Sequence, residues 1–514
     1  MIARRGLRPV SLAAAVAAVA TVCSAAPASA DSTLGYDPLT TKGSLNHIAA
    51  VVGAQDSHRA GFTGKGVGIA LLDTGVTEVP GLDTGNVLHG PDLSFDSQNP
   101  ELTHKDAYGH GTHLASIMVG RDAPATPESY TDPAKFTGIA PDARLLSVKV
   151  GAYDGSVDVS QVIAGINWVV AHRNDPGLNV RVINLSYGTN SVQDSRIDPL
   201  AYAVENAWKN GIVVVTAGGN DGSDNYNLAN PARDPYVLAV GADDTQGTVD
   251  PADDTIPTWA TRGTNQRHVD VVAPAVSVLG LRVPNGYADE RNPAARVGTR
   301  FARASGTSQA AAVVSAEVAL MLQENPALTP DQVKRLLMNT ASPFDSASNQ
   351  YRGNGVTNVR RAQLANVPNY KQSDQFWGYG TGSLEAARGS SHVNDGVAEL
   401  RGEIDIFGDA WDARSFAARV ADGTIWQDGR WRDRTWTGLG WESSTWRGAE
   451  WTSGTWTSST WRDAGWVSST WRDGAWTSPD WSSSTWRDAG WSSSTWRDGI
   501  WSSSTWRTAD GGWA

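Results

Sequence analysis

The chain has 514 residues, a formal net charge of −12 and a single cysteine, Cys23, which leaves room for several domains of ordinary globular composition. The acidic balance argues against nucleic acid as a partner and gives no attraction to anionic membrane surfaces. Because Cys23 lies in the N-terminal apolar stretch, a chain cleaved beyond it forms no disulfide, offers no cysteine nucleophile and holds no thiolate-bound zinc.

The first thirty residues read as a signal peptide. "MIARRGLRPV" carries Arg4, Arg5 and Arg8, "SLAAAVAAVATV" is a short apolar core, and Ala28-Ser29-Ala30 is a small-x-small cleavage site. The apolar run is shorter than the ~20 residues that span a bilayer. The reading predicts export, free in the medium or held at the surface, with no transmembrane segment after cleavage. Residues 31–45 are then a short N-terminal segment, and no inhibitory pro-domain is expected from it.

From residue 46 to 390 apolar runs alternate with amphipathic ones. "GVGIALLDTGV", "ARLLSVKV", "VRVINLSYG", "GIVVVTAGGN", "YVLAVGA" and "VDVVAP" are near-continuous Val/Ile/Leu strands that end in small or polar residues. Strands of this kind are buried on both faces, which implies a parallel sheet covered by helices. "DVSQVIAGINWVVAHR" puts Val162, Ile166 and Val169 on one helical stripe, and "DPLAYAVENAWKNG" opens with Asp-Pro and closes with Gly. The alternation predicts an α/β, doubly wound, mostly parallel sheet. Ligands of such folds sit beyond the carboxyl ends of the strands.

Residues 391–425 read as a polar connector. From Trp426 a tryptophan then recurs at every fifth position to Trp506, so 426–514 is a separate repeat module. A period of five fits neither a strand nor a helix stripe, since i and i+5 face opposite ways in one and lie about 140° apart in the other. The residue two before each Trp is small at Ser459, Ala464, Ser469, Gly474, Ser484 and Ala489. That rhythm loosely resembles pentapeptide-repeat proteins, which wind as a square β-solenoid. Outward-facing indoles would suit stacking on cell-wall or other polysaccharide, while inward-facing ones would fill a solenoid core.

Three segments carry chemistry. "LLDTGV" ends a strand with Asp73, "DAYGHGTHLASIMVG" runs from turn glycines into a helix with His110 near its start, and "RASGTSQAAAVV" places Ser308 at the start of an Ala-rich helix. Singly these are a turn acid, a capping or core histidine and an N-cap serine. Together they supply what a hydroxyl nucleophile needs: an imidazole to take its proton and a carboxylate to orient that imidazole. The helix N-terminus adds donors for developing negative charge.

At these residues the chain resembles the subtilisin-like serine proteases. "DTG", "HGTH" and "GTS" occur in that family's order, and "GIAPDARLLSVKV", "NLSYG", "TAGGN" and "GYGTGSLEAA" resemble its intervening blocks. The resemblance implies a serine endopeptidase acting on polypeptides through an acyl-enzyme, with Asp73, His110 and Ser308 as the triad and Asn220 as the oxyanion donor. Ser186, Tyr187 and Gly188, with Ala217, Gly218 and Gly219, would line an extended-peptide groove. His113 is expected to pack in its helix. The chain departs from the family at Gln309, Ala312 and Val313, where Met, Pro and His are usual. No cofactor is implied for the chemistry, but calcium-stabilised loops are. Asp92, Asp96 and Asp106 share one loop without a recognisable ligand spacing and read equally as solvated acids, so metal ligands stay unassigned. The competing reading is a surface adhesin that uses a weakly active protease scaffold, with the Trp module as its binding part.

Overall fold

A computed structural model describes residues 34–122, 126–394 and 399–435. The segment read as a signal peptide and the pentads from Trp436 onward therefore lie outside the described residues.

All six apolar runs form strands: β1 (Gly68–Asp73), β3 (Arg144–Lys149), β4 (Val180–Leu185), β5 (Val213–Ala217), β6 (Leu238–Asp243) and β7 (Val271–Pro274). With β2 (Val87–Asp92) they make one sheet in the order β2-β3-β1-β4-β5-β6-β7, every neighbouring pair parallel. β1, β5, β6 and β7 are buried at every position, the physical origin of their uninterrupted apolar sequence. The edge strand β2 does not read as a strand, because "VLHGPD" contains Gly90 and Pro91 and is only partly buried. A small antiparallel sheet also escapes the sequence reading, since its strands β8 (Val278–Leu281), β9 (Arg296–Val297) and β10 (Phe301–Ala304) are short.

The helices that matter for the site are α1 (His110–Val119), α2 (Val159–His172), α3 (Pro199–Lys209) and α4 (Thr307–Glu324). Asp158 and Gln161 form a capping box on α2, and Asp198 caps α3 through the Leu200 and Ala201 amides. α4 is buried from Thr307 to Leu322 and lies across β4, β5 and β6. Its run of Ala310, Ala311 and Ala312 leaves little side chain between helix and sheet. Val162, Ile166 and Val169 of α2 are all buried, as their spacing predicts.

The chain beyond residue 399 folds back onto α2 and α3. Leu400, Ile406, Phe407, Trp411, Phe416, Trp426 and Trp431 join the same hydrophobic cluster as the central strands. A helix, α5 (Ala413–Ala421), packs against α3. It leads into a hairpin of β11 (Trp426–Gln427) and β12 (Arg430–Trp431). Asp428 and Gly429 turn it with φ of 50° and 74°, the backbone sense a two-residue hairpin requires. Trp426 and Trp431, the first pair of the pentad series, face each other across this hairpin and point inward. Their indoles donate to the Ala164 carbonyl at 2.9 Å and to Asn167 Oδ1 at 3.2 Å, both on α2.

Candidate active site

β1 is the point at which the strand order reverses, with β3 on one side and β4 on the other. A crevice opens beyond the carboxyl ends of strands at such a point. Asp73 is the last residue of β1 and His110 the first of α1. His110 Nδ1 lies 2.8 Å from Asp73 Oδ1 and 3.0 Å from Oδ2, with both side chains fully buried. Burial pushes the Asp73 carboxyl above its ordinary range, and the His110 contact and the Thr74 amide pull it back. The close approach depends on a glycine: a Cβ at Gly111 would meet the Gly75 carbonyl at 2.1 Å and Asp73 Oδ1 at 3.0 Å. Gly109, with φ of 114°, turns the chain into α1.

Ser308 is the second residue of α4. Its buried hydroxyl has no hydrogen-bond partner among the described residues, in keeping with catalytic hydrogen bonds that tighten only when substrate arrives. α1 and α4 pack against each other, and Gln309 Nε2 comes within 3.5 Å of His113 Nδ1. The first turns of the histidine and serine helices are thus side by side. His113 is fully buried with Nε2 at 3.3 Å from the Ala302 carbonyl. Burial drives its imidazole down to about 3, so it is held neutral.

Asn220 lies three residues beyond β5, and its side chain is fixed in orientation. Asn220 Oδ1 accepts from the Thr307 amide at 3.1 Å and from the Thr307 hydroxyl at 2.9 Å. That hydroxyl in turn accepts from the Gly219 amide at 3.2 Å. These bonds commit the oxygen to Thr307 at the N-terminus of α4 and so fix which end of the amide is oxygen and which is nitrogen. Ser186 follows β4 and donates to the Ser308 carbonyl at 3.4 Å, while Asn184 donates to Ser186 Oγ at 3.1 Å. Tyr187 is fully buried. On the neighbouring strand Ala217 ends β5, and the Gly218 carbonyl accepts from the Ala229 amide at 3.0 Å.

Three functional contributors are not evident in the sequence. Thr307 was only a letter of "GTS", Thr74 a letter of "DTG", and Asp106 a loop acid. Thr74 Oγ1 donates to Asp106 Oδ1 at 2.8 Å and accepts from the Gly111 amide at 3.0 Å. Asp106 also accepts from the amides of Gly109 at 2.6 Å and Thr112 at 2.7 Å, which fixes the start of α1. The loop acids are therefore not solvated. Asp92 accepts from the Ser94 and His104 amides, and Asp96 forms a buried ion pair with Lys149 at 2.7 Å. With their oxygens already committed to protein donors, these three do not fit a calcium-ligand set. Among the described residues no group of three or more His, Cys, Asp or Glu is arranged to hold a metal.

Comparison with known proteins gives a consistent picture. The model of the subtilase family matches residues 64–380. The serine protease AprX of Bacillus subtilis (strain 168) is 34% identical over 307 residues, 59% of this chain and 67% of that protein. Subtilisin Savinase of Lederbergia lenta is 32% identical over 311 residues, 60% of this chain and 96% of that protein. Among solved structures, fervidolysin from Fervidobacterium pennivorans superposes with a TM-score of 0.49 at 26% identity, covering 62% of this chain and 45% of that one.

Proposed function

The chain belongs to the subtilase family and is a subtilisin-like serine endopeptidase, and we propose that Asp73, His110 and Ser308 are its catalytic triad. The observation that carries this assignment is the fully buried Asp73–His110 contact of 2.8 Å beside the N-terminus of the Ser308 helix. Asp73 holds the imidazole with Nδ1 protonated, so that Nε2 is the base that takes the Ser308 proton. Ser308 Oγ then attacks the scissile carbonyl, and the proton passes through His110 to the leaving amine. The oxyanion receives donors from the Asn220 amide and the Ser308 backbone N–H, strengthened by the helix N-terminus. Water reverses the sequence on the acyl-enzyme. Side chains and backbone amides supply every step, with no cofactor.

Ser186, Tyr187 and Gly188 on one side and Ala217, Gly218 and Gly219 on the other form the walls against which an extended peptide pairs. Pairing of this kind gives affinity through the main chain. Residues 46–390 carry the catalytic site and residues 399–431 complete their hydrophobic core; a signal peptide at 1–30 directs export, on the support of the Arg-rich start, short apolar core and Ala-Ser-Ala site. No helix among the described residues is long and apolar enough to cross a membrane. Polysaccharide binding by the Trp module concerns the indoles beyond Trp431, since Trp426 and Trp431 are buried on α2.

The deciding experiment is covalent labelling. A serine-directed phosphonylating reagent should modify Ser308, and Ser308→Ala should abolish both the label and casein hydrolysis. Casein hydrolysis at the wild-type rate by that variant would refute the assignment.

A further inference from the structure

Arg388 lies beyond the segment that matches the family model, yet it is fully buried. Its Nε donates to Asp158 Oδ2 at 2.6 Å, and neither side chain is exposed. Asp158 caps α2 through the Ser160 amide at 2.9 Å. It directly follows the loop 150–157, which leaves β3 alongside the catalytic acid: the Val150 and Gly151 amides donate to the Asp73 carbonyl at 2.8 and 3.1 Å. Gly155 in this loop lies against Tyr108, two residues before His110, where a Cβ would come within 3.1 Å of the ring. Loop 150–157 therefore flanks the triad from the β3 side.

The chain around Arg388 is also sewn to the β4 side. Thr189, next to Gly188, donates its hydroxyl to the Ala387 carbonyl at 2.6 Å. Asn190 Oδ1 accepts from the Ser390 amide at 2.8 Å. The Tyr187 hydroxyl feels both members of the ion pair, Asp158 raising its pKa and Arg388 lowering it, on top of a larger upward push from burial. The remaining guanidinium donors reach the Gly402 carbonyl at 2.7 Å, the Ile404 carbonyl at 2.5 Å and Glu385 Oε2 at 3.3 Å. The cation thus joins the cap of α2 to the C-terminal stretch that folds back over α2, while the backbone on either side of Arg388 holds the end of the β4 segment.

We propose that Arg388 is a positioning residue that sets the spacing between loop 150–157 and the Ser186–Thr189 segment, and so determines binding of extended peptides as opposed to short ones. The inference rests on the assignment of Ser186–Gly188 to the groove, and adds loop 150–157, which flanks the triad on the β3 side, as the wall that faces it. Arg388 touches neither the triad nor the scissile bond. Its effect therefore grows with the number of substrate residues that lie between the two walls, because loosening the spacing misplaces an extended chain more than a single acyl group.

The test compares Arg388→Lys and the paired change Arg388→Met with Asp158→Ser, in which the buried pair leaves as a unit, Glu385 keeps its contact with His392 at 2.9 Å, and serine keeps an N-cap. Active sites are counted by burst titration of Ser308, and kcat/KM per active site is measured for a single-residue ester and for a peptide of about eight residues. The expected result is a fall of about tenfold in the peptide-to-ester ratio for the paired variant, carried mainly by KM, with R388K between it and the wild type. A ratio kept within about twofold of wild type in both variants overturns the proposal, whatever the number of titrated sites, because Arg388 then serves the fold alone. Absence of titratable Ser308 in the wild type would instead overturn the triad assignment.

Discussion

At the scale of single residues, Thr307 shows how a neighbour of the nucleophile governs a group on another strand. Its hydroxyl links the Gly219 amide to Asn220 Oδ1, and its own amide donates to the same oxygen. An Asn side chain alone has two amide orientations of similar shape, and only one presents the nitrogen to an oxyanion. Thr307→Val keeps shape and backbone but removes the hydroxyl. It should lower kcat by roughly tenfold with little change in KM, a loss seen only in the transition state. Complete removal of such a donor costs roughly a hundred- to a thousandfold in subtilisin itself, a member of this family, which sets the ceiling. Wild-type kcat in T307V would show that the Thr307 amide alone holds Asn220. At this scale the reactive groups were legible because each needs a particular residue type. Their supports were not: Thr307, Thr74 and Asp106 are ordinary polar residues until the fold gives them partners.

At the scale of elements, α4 is the least amphipathic part of the site: it is buried on nearly every side and still carries Glu317 in its interior. Thr357 donates to Glu317 Oε1 at 2.6 Å, and burial raises the carboxyl from its ordinary 4.5 to about 8. A carboxyl with a raised pKa binds its proton more tightly in the folded state. It therefore contributes stability in full below about pH 4.5, progressively less between there and about pH 8, and none above. Glu317→Gln should flatten this dependence and leave the variant more stable than wild type above pH 8, by on the order of 1 kcal/mol for each pKa unit of the shift. Thermal melts of phosphonylated protein, in which autolysis is blocked, would measure it from about pH 5 to about pH 9. Parallel melting curves for the two proteins would show that Glu317 is ionised in the folded state. Helix existence was legible here from the apolar run and the Ser-Gly-Thr start. The buried acid was not, because a lone Glu in a helical sequence reads as a solvent-facing residue.

At the scale of the whole molecule, the stretch after residue 399 completes the cover of α2 and α3. Trp431 is fully buried and bonded to Asn167, Trp411 packs near it with ring centroids 6.4 Å apart, and Arg432 lies 4.8 Å from the Trp411 ring centroid. Trp431→Ala should destabilise the catalytic unit by about 3–5 kcal/mol, as large-to-small changes in packed cores do. The measurement is a lower melting temperature in the phosphonylated enzyme, and an unchanged one would mean the hairpin sits on α2 without contributing to its stability. The sequence by itself determined the parallel α/β sheet and the apolar runs that form its central strands, and it pointed to the three side chains proposed as the reactive groups. Each of these follows from local signals: continuous apolar runs, caps, turn glycines and the few side chains able to do acyl transfer. Only the tertiary structure decided which way the first indoles face, that the loop acids are consumed by protein donors, and that Arg388 ties together segments more than two hundred residues apart in the chain. Those outcomes depend on what lies opposite a side chain, and a residue's opposite number is fixed by the path of the chain in space.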